Sequence, residues 1–157
     1  MTPGPLYLIR HAKAHNRHAW TEDDLLRPLT SEGERQAKAL VSVFRGLALA
    51  RLISSPHHRC MQTIAPLAEE RGVKLETSEA LAEGASVERA LALAAGLDEG
   101  PTVLCSHGDV IEALVLHLAE RATAVDGERA FEKASVWIIE RSGDRFVRAT
   151  YIPPPQI

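Results

Sequence analysis

Short apolar runs alternate with amphipathic stretches along most of this chain. Leu6-Tyr7-Leu8-Ile9, entered after Pro3 and Pro5, reads as a buried strand that stops at Arg10-His11. Residues 52–53, 73–76 and 102–105 read as further strands, the last entered after Gly100-Pro101 and closed by Ser106-His107-Gly108. Ala37, Leu40, Val41 and Phe44 fall at helical spacing behind Thr30 or Ser31 as N-cap, with Glu34 at capping-box distance from Ser31. Residues 59–71, 87–95 and 110–121 predict three more helices. Two closing strands, 136–140 and 145–151, flank the hairpin signal Ser142-Gly143-Asp144, and Pro153-Pro154-Pro155 cannot join a sheet interior.

This alternation predicts an α/β fold in which a mostly parallel central sheet carries helices on both faces, with an antiparallel element late in the chain. The stretch 12–29 is polar, rich in histidine and arginine, and too long for a simple connection, which marks a functional loop. The 157 residues fit a single domain, 1–157, large enough to form a core without disulfides or structural metals. An apolar share of 45% with 25% charged residues is that of a soluble globular protein. The net charge of −3 argues against a nucleic-acid polymer as partner. No run approaches the ~20 apolar residues that span a bilayer, and no cationic start leads into an apolar stretch, so no membrane association and a cytoplasmic location are expected. Cys60 and Cys105 lack metal-ligand or CxxC spacing and read as two reduced, partly buried thiols.

Open α/β sheets bind ligands beyond the carboxyl ends of their strands, where His11 and His107 each follow an apolar run. Arg10 adjoins the first histidine, and Arg59 opens the helix after the second strand. The four residue types suit a phosphoryl group. A guanidinium pairs two phosphate oxygens at once, and an imidazole with a pKa near ~6.5 attacks phosphorus without a separate base. Helix N-termini near Arg59 and Asp109 add free N–H groups that favour anions. This chemistry calls for no metal and no cofactor. His11, His15 and His18 share a spacing that a helix could place on one face, but the stretch lacks apolar periodicity and a compact ligand set, so a substrate rim is the expected role. His117, in an apolar helix, reads as a packing residue. Arg17 and Arg27 are candidate substrate contacts, each taken alone reading as a solvated surface arginine.

Leu8-Ile9-Arg10-His11-Ala12-Lys13-Ala14 resembles the signature of the histidine phosphatase superfamily, which includes the phosphoglycerate mutases. Arg27-Pro28-Leu29-Thr30 with Gly33, Gln36 and Ala37 resembles that family's segment entering its first helix. Ser54-Ser55-Pro56-His57-His58-Arg59-Cys60-Met61-Gln62-Thr63 is similar to its Ser-Ser-Pro-x-x-Arg-x-x-Gln-Thr segment, and Ser106-His107-Gly108 to its second-histidine turn. Four ordered motifs are far more specific than one Arg-His pair. The short length and the Arg-His-Ala-Lys form resemble the small SixA-type phosphohistidine phosphatases. The 12–29 segment is also similar to phosphatase domains fused to Nudix hydrolases that act on nucleotides.

The resemblance implies a three-layer, phosphoglycerate mutase-like fold and a metal-independent phosphatase. It makes His11 the residue phosphorylated in the intermediate, with Arg10, Arg59 and His107 completing the phosphate pocket. Glu83 sits near the position where larger relatives place the acid that protonates the leaving oxygen. The implied partner is a phosphorylated small molecule or a phosphohistidine-bearing protein. A phosphoglycerate mutase-type phosphotransferase and a non-catalytic phosphate-binding module are the alternatives. Ala12 stands where the family more often has glycine, and Asn16 lies one position short of the mutases' phosphate-contacting asparagine, so that role is not carried over. His57 and His58 occupy variable positions, at a rim or in solvent.

Overall fold

In the computed structural model, which describes residues 3–121 and 123–157, the strands are β1 (Leu6–Arg10), β2 (Arg51–Ser54), β3 (Leu75–Thr77), β4 (Thr102–Ser106), β5 (Ala124–Asp126), β6 (Val136–Ser142) and β7 (Arg145–Ile152). The helices are α1 (Ser31–Val43), α2 (His58–Arg71), α3 (Val87–Ala95) and α4 (Gly108–Ala119), with single 3-10 turns at Asp24–Leu26 and Glu79–Leu81. One sheet takes the order β3-β2-β4-β1-β6-β7-β5. Strands β3, β2, β4 and β1 run parallel, β6 is antiparallel to both β1 and β7, and β5 lies parallel to β7. The mostly parallel α/β architecture agrees with the alternation in the sequence.

Strand alternation sorts the core into two layers. Tyr7 and Ile9 of β1 pack with Ala37, Leu40 and Phe44 of α1 and Cys60, Ile64 and Leu67 of α2. Leu6 and Leu8 point the other way, against Ala90 and Ala94 of α3 and Val110, Ile111, Leu114 and Val115 of α4. Helices therefore cover both faces, while the carboxyl ends of β1, β2 and β4 stand side by side at one edge of the sheet. No helix of the described residues is long and apolar enough to cross a membrane.

Several local expectations change. The N-cap of α1 is Thr30, whose Oγ1 accepts from the Gly33 amide at 3.1 Å, so the Ser31–Glu34 capping box does not set the start of the helix. Strand β3 begins at Leu75 rather than at residue 73, because Gly72 (φ +62°) and Val73 close α2: Gly72 N–H donates to Glu69 and Val73 N–H to Ala68. Helix α4 starts at Gly108, earlier than its apolar pattern, and β5 is an added edge strand with no apolar run to announce it. Both cysteines are wholly buried rather than partly so. His117 is half-buried, and its Nδ1 accepts from Arg121 at 3.2 Å.

The close approach of α1 to the loop after β1 requires Gly33. A Cβ there would lie 2.0 Å from the Lys13 carbonyl oxygen, the acceptor of the Thr30 amide. Gly33→Ala is expected to destabilise the fold by about 3 kcal/mol, the upper end for overpacking a rigid contact. Thermal unfolding should report a loss of at least ~5 °C; an unchanged midpoint would show that the loop yields freely.

Candidate active site

The four segments singled out in the sequence meet at the carboxyl edge of the sheet. β1 delivers Arg10 and leads into His11, Ser55 follows β2, α2 carries Arg59 in its first turn, and β4 leads into His107 at the N-cap of α4. A cavity of about 580 Å3 opens here, lined by His11, His107, Arg10, Arg17, Arg27 and Glu83 together with Lys13, His15, Asn16, Asp109 and Lys133. That volume lies within the ~300–1,000 Å3 of small-molecule sites.

The loop after β1 is fixed mainly by α2. Thr63 Oγ1 accepts from the Ala12 amide at 2.9 Å while donating to the Arg59 carbonyl at 2.6 Å, and Gln62 Oε1 accepts from the Leu29 amide at 2.8 Å. The Gln62-Thr63 pair of the motif thus anchors the segment that carries His11. The His11 amide donates to the Ser106 carbonyl at 3.0 Å, tying this histidine to the strand that carries His107. The two imidazoles stand edge to face with centroids 5.4 Å apart.

His11 is 6% exposed, and its Nδ1 lies 2.8 Å from the Ala12 carbonyl oxygen. A carbonyl only accepts, so Nδ1 carries the proton and Nε2 keeps its lone pair. Burial, aided by Arg59, Arg10 and Lys133, lowers the pKa of His11 to about 3. His107 is lowered to about 2, by burial first and then by His11, Arg59 and His57. Both rings are neutral at ordinary pH.

Ser55, fully buried, joins two further histidines: its Oγ is 2.9 Å from His107 Nε2 and 3.0 Å from His57 Nδ1, and it accepts from the His57 amide at 3.3 Å. One hydroxyl donor and two lone pairs satisfy all three contacts. His57 is therefore neither at a rim nor simply solvated; it packs edge to face on His107 with centroids 4.6 Å apart.

Arg59 is completely buried and is hydrogen-bonded by carboxylates from two loops. Its Nη1 donates to the Asp24 carbonyl at 3.0 Å, and its Nη2 reaches Asp24 Oδ2 at 3.1 Å, Glu83 Oε2 at 3.2 Å and His107 Nδ1 at 3.4 Å. Glu83 also accepts from Arg17. Its loop is fixed beside His107 because Ser106 Oγ donates to the Leu81 carbonyl and Asp109 accepts from the Gly84 amide. Arg27 is 5% exposed, correcting the surface reading: Nε donates to Asp24 Oδ1 at 2.9 Å and Nη1 to the His15 carbonyl at 2.6 Å. Arg17 is exposed at the mouth. Asp24, Ser55 and Lys133 were not singled out from sequence. Asp24 lies at i,i+3 from Arg27 and Ser55 lies within a quoted motif, whereas nothing local marks Lys133.

Arg10 lies over the start of α4, where Gly108 makes room: a Cβ there would sit 3.0 Å from Arg10 Cζ. Its Nη1 donates to the Phe131 carbonyl at 2.6 Å, and its buried Nε has no partner among the described residues. Asp24, His57 and Glu83 each bring a ligand atom within 4.8 Å of the others, a spacing suited to a metal ion. The Arg59 guanidinium already contacts both carboxylates as their cation, so the set does not fit a second positive charge. Chemically, the arrangement offers an unprotonated imidazole nitrogen, guanidinium donors and a carboxylate around one cavity.

Residues 6–90 match the model of the histidine phosphatase superfamily (branch 1). The chain is 33% identical over 153 residues to an 8-oxo-(d)GTP phosphatase of Mycolicibacterium smegmatis, an alignment covering 94% of this chain and 48% of that protein. It thus spans about half the length of that relative. The fold is that of the protein histidine phosphatase SixA complexed with tungstate (TM-score 0.74, 18% identity, 97% of this chain and 96% of that one). A SixA structure from Agrobacterium tumefaciens is similar at TM-score 0.77 and 23% identity, over 97% of this chain and 99% of that one. With its motifs gathered at the sheet edge and a family match across more than half its length, this chain belongs to the histidine phosphatase superfamily.

Proposed function

We propose that this chain is a metal-independent phosphatase that takes a phosphoryl group onto His11 Nε2 and passes it to water. The observation that carries this reading is the His11 ring itself, with Nδ1 held by the Ala12 carbonyl and Nε2 left as an unprotonated nucleophile at the cavity. In the first half-reaction the Nε2 lone pair forms the N–P bond. The bond from phosphorus to the leaving atom, an oxygen in an ester or anhydride and a nitrogen in a phosphohistidine, breaks with its electron pair on that atom, which takes a proton from the Glu83 carboxyl. An incoming phosphate draws Arg17 and Arg59 toward its oxygens, which frees the Glu83 carboxyl to face the leaving group. In the second half-reaction water attacks phosphorus and gives its proton to Glu83, while the N–P pair returns to Nε2. Arg10 and Arg59 donate to the equatorial oxygens through both steps, beside His107, with Arg17 contacting the substrate from the mouth and Arg27 from the cavity wall.

The substrate is a phosphomonoester, a phosphorylated nucleotide or a protein phosphohistidine. The nucleotide reading is favoured by the relative described as an 8-oxo-(d)GTP phosphatase, which aligns across 94% of this chain. A quench with phosphorus-labelled substrate is the direct test. An acid-labile, alkali-stable phosphoenzyme mapping to the His11 peptide is expected, formed with a chelator present. Turnover without such a species, or label on another residue, overturns the assignment.

A further inference from the structure

The charges around the cavity do not match a single phosphoryl group. Five cationic side chains line it, Arg10, Lys13, Arg17, Arg27 and Lys133, against two carboxylates, in a chain whose net charge is −3. Three of these cations already have partners: Lys13 with Glu32, Arg17 with Glu83 and Arg27 with Asp24. Arg10 and Lys133 are the two without an ion pair among the described residues. If the transferring phosphoryl group, which carries about −1.5 to −2, is met by Arg10 and Arg59, the Lys133 ammonium is left over.

Lys133 is also placed with care. The neighbouring Ala134 has φ +65°, a left-handed conformation that is costly for a residue with a Cβ. Its amide donates to the carbonyls of Arg10 at 3.0 Å and His11 at 3.2 Å, and the Arg10 amide donates to the Ser135 carbonyl at 3.2 Å. The Ser135 hydroxyl closes the turn on the Glu132 carbonyl at 2.5 Å. A strained turn stitched to the backbone of His11 therefore holds an ammonium at the cavity lining, in the field of Arg10, Arg27, Lys13 and Arg17. Those four charges repel it, and an anion in the cavity would relieve the repulsion.

We propose that Lys133 forms a subsite for a second phosphate group, so that the site is built for phosphoanhydrides such as nucleoside di- and triphosphates rather than for isolated monoesters. The subsite rests on the phosphatase reading, with the transferred group at His11 and the next phosphate against Lys133. The 580 Å3 cavity has room for both. In such a substrate the leaving group is itself a phosphate.

Titration calorimetry with two stable probes tests this apart from catalysis. Methylenediphosphonate is expected to bind wild-type protein about tenfold more tightly than orthophosphate, one charge-assisted contact's worth. Lys133→Gln should lose most of that preference while holding orthophosphate within about twofold, and Lys133→Arg should keep it. Equal losses for both probes would assign Lys133 to the transferring phosphoryl group and overturn the subsite. No loss for either, or no preference in the wild type, would overturn it as well and favour a single phosphate on a small molecule or protein. Binding of neither probe to wild-type protein would overturn the phosphate pocket itself.

Discussion

Replacing His11 with alanine is expected to lower kcat by at least ~10^4-fold on any substrate the wild type turns over, about 5.5 kcal/mol of barrier. The loss is large because no other group can stand in for it. His107 is the nearest imidazole, but its Nε2 is held by Ser55 and its Nδ1 faces Arg59 Nη2. The remaining donors can still bind phosphate and polarise it, so residual activity above water is consistent with this assignment. Phosphate release in the presence of a chelator, with near-ultraviolet circular dichroism to show that the variant is folded, gives the measurement. A variant retaining more than about a tenth of wild-type kcat would show that the nucleophile lies elsewhere.

Much of this arrangement is legible in the sequence because it is local. Leu6-Tyr7-Leu8-Ile9 alternates between the two faces of the sheet, and its pattern alone calls for cover on both sides. His11 and His107 follow directly on strands that prove to be neighbours, so their convergence follows from parallel pairing. The contacts hidden from the sequence are those made by tertiary placement. Asp24 meets Arg59 only because the loop after β1 folds back over α2, held by Gln62 and Thr63. Lys133 reaches the cavity from beyond α4, through hydrogen bonds between main-chain groups that no side-chain pattern encodes. Strand β5 is three residues of edge pairing to β7, chosen by the neighbouring strand rather than by its own composition.

Acidification from pH 7 to pH 5 is expected to cost the unliganded protein about 4 kcal/mol of stability. In the unfolded chain His11 and His107 take up protons near their ordinary ~6.5, whereas in the folded protein they do so only at about 3 and about 2. Between these limits the unfolded state binds more protons, so stability rises with pH. The contribution is complete above the unfolded value and fades as pH falls toward the folded values. Each histidine loses ~1.4 kcal/mol per pH unit once below 6.5, or roughly 2 kcal/mol each by pH 5. His57 is shifted in the same direction, chiefly by burial, and adds to the slope. Urea unfolding at the two pH values measures the difference directly, provided the slope of each transition is unchanged. His11→Ala should remove about half of this acid sensitivity, because one of the two strongly shifted groups is gone. Equal acid sensitivity in variant and wild type would mean that His11 is protonated in the folded state well above pH 3, and that its Nε2 is not the ready nucleophile on which the phosphatase mechanism depends.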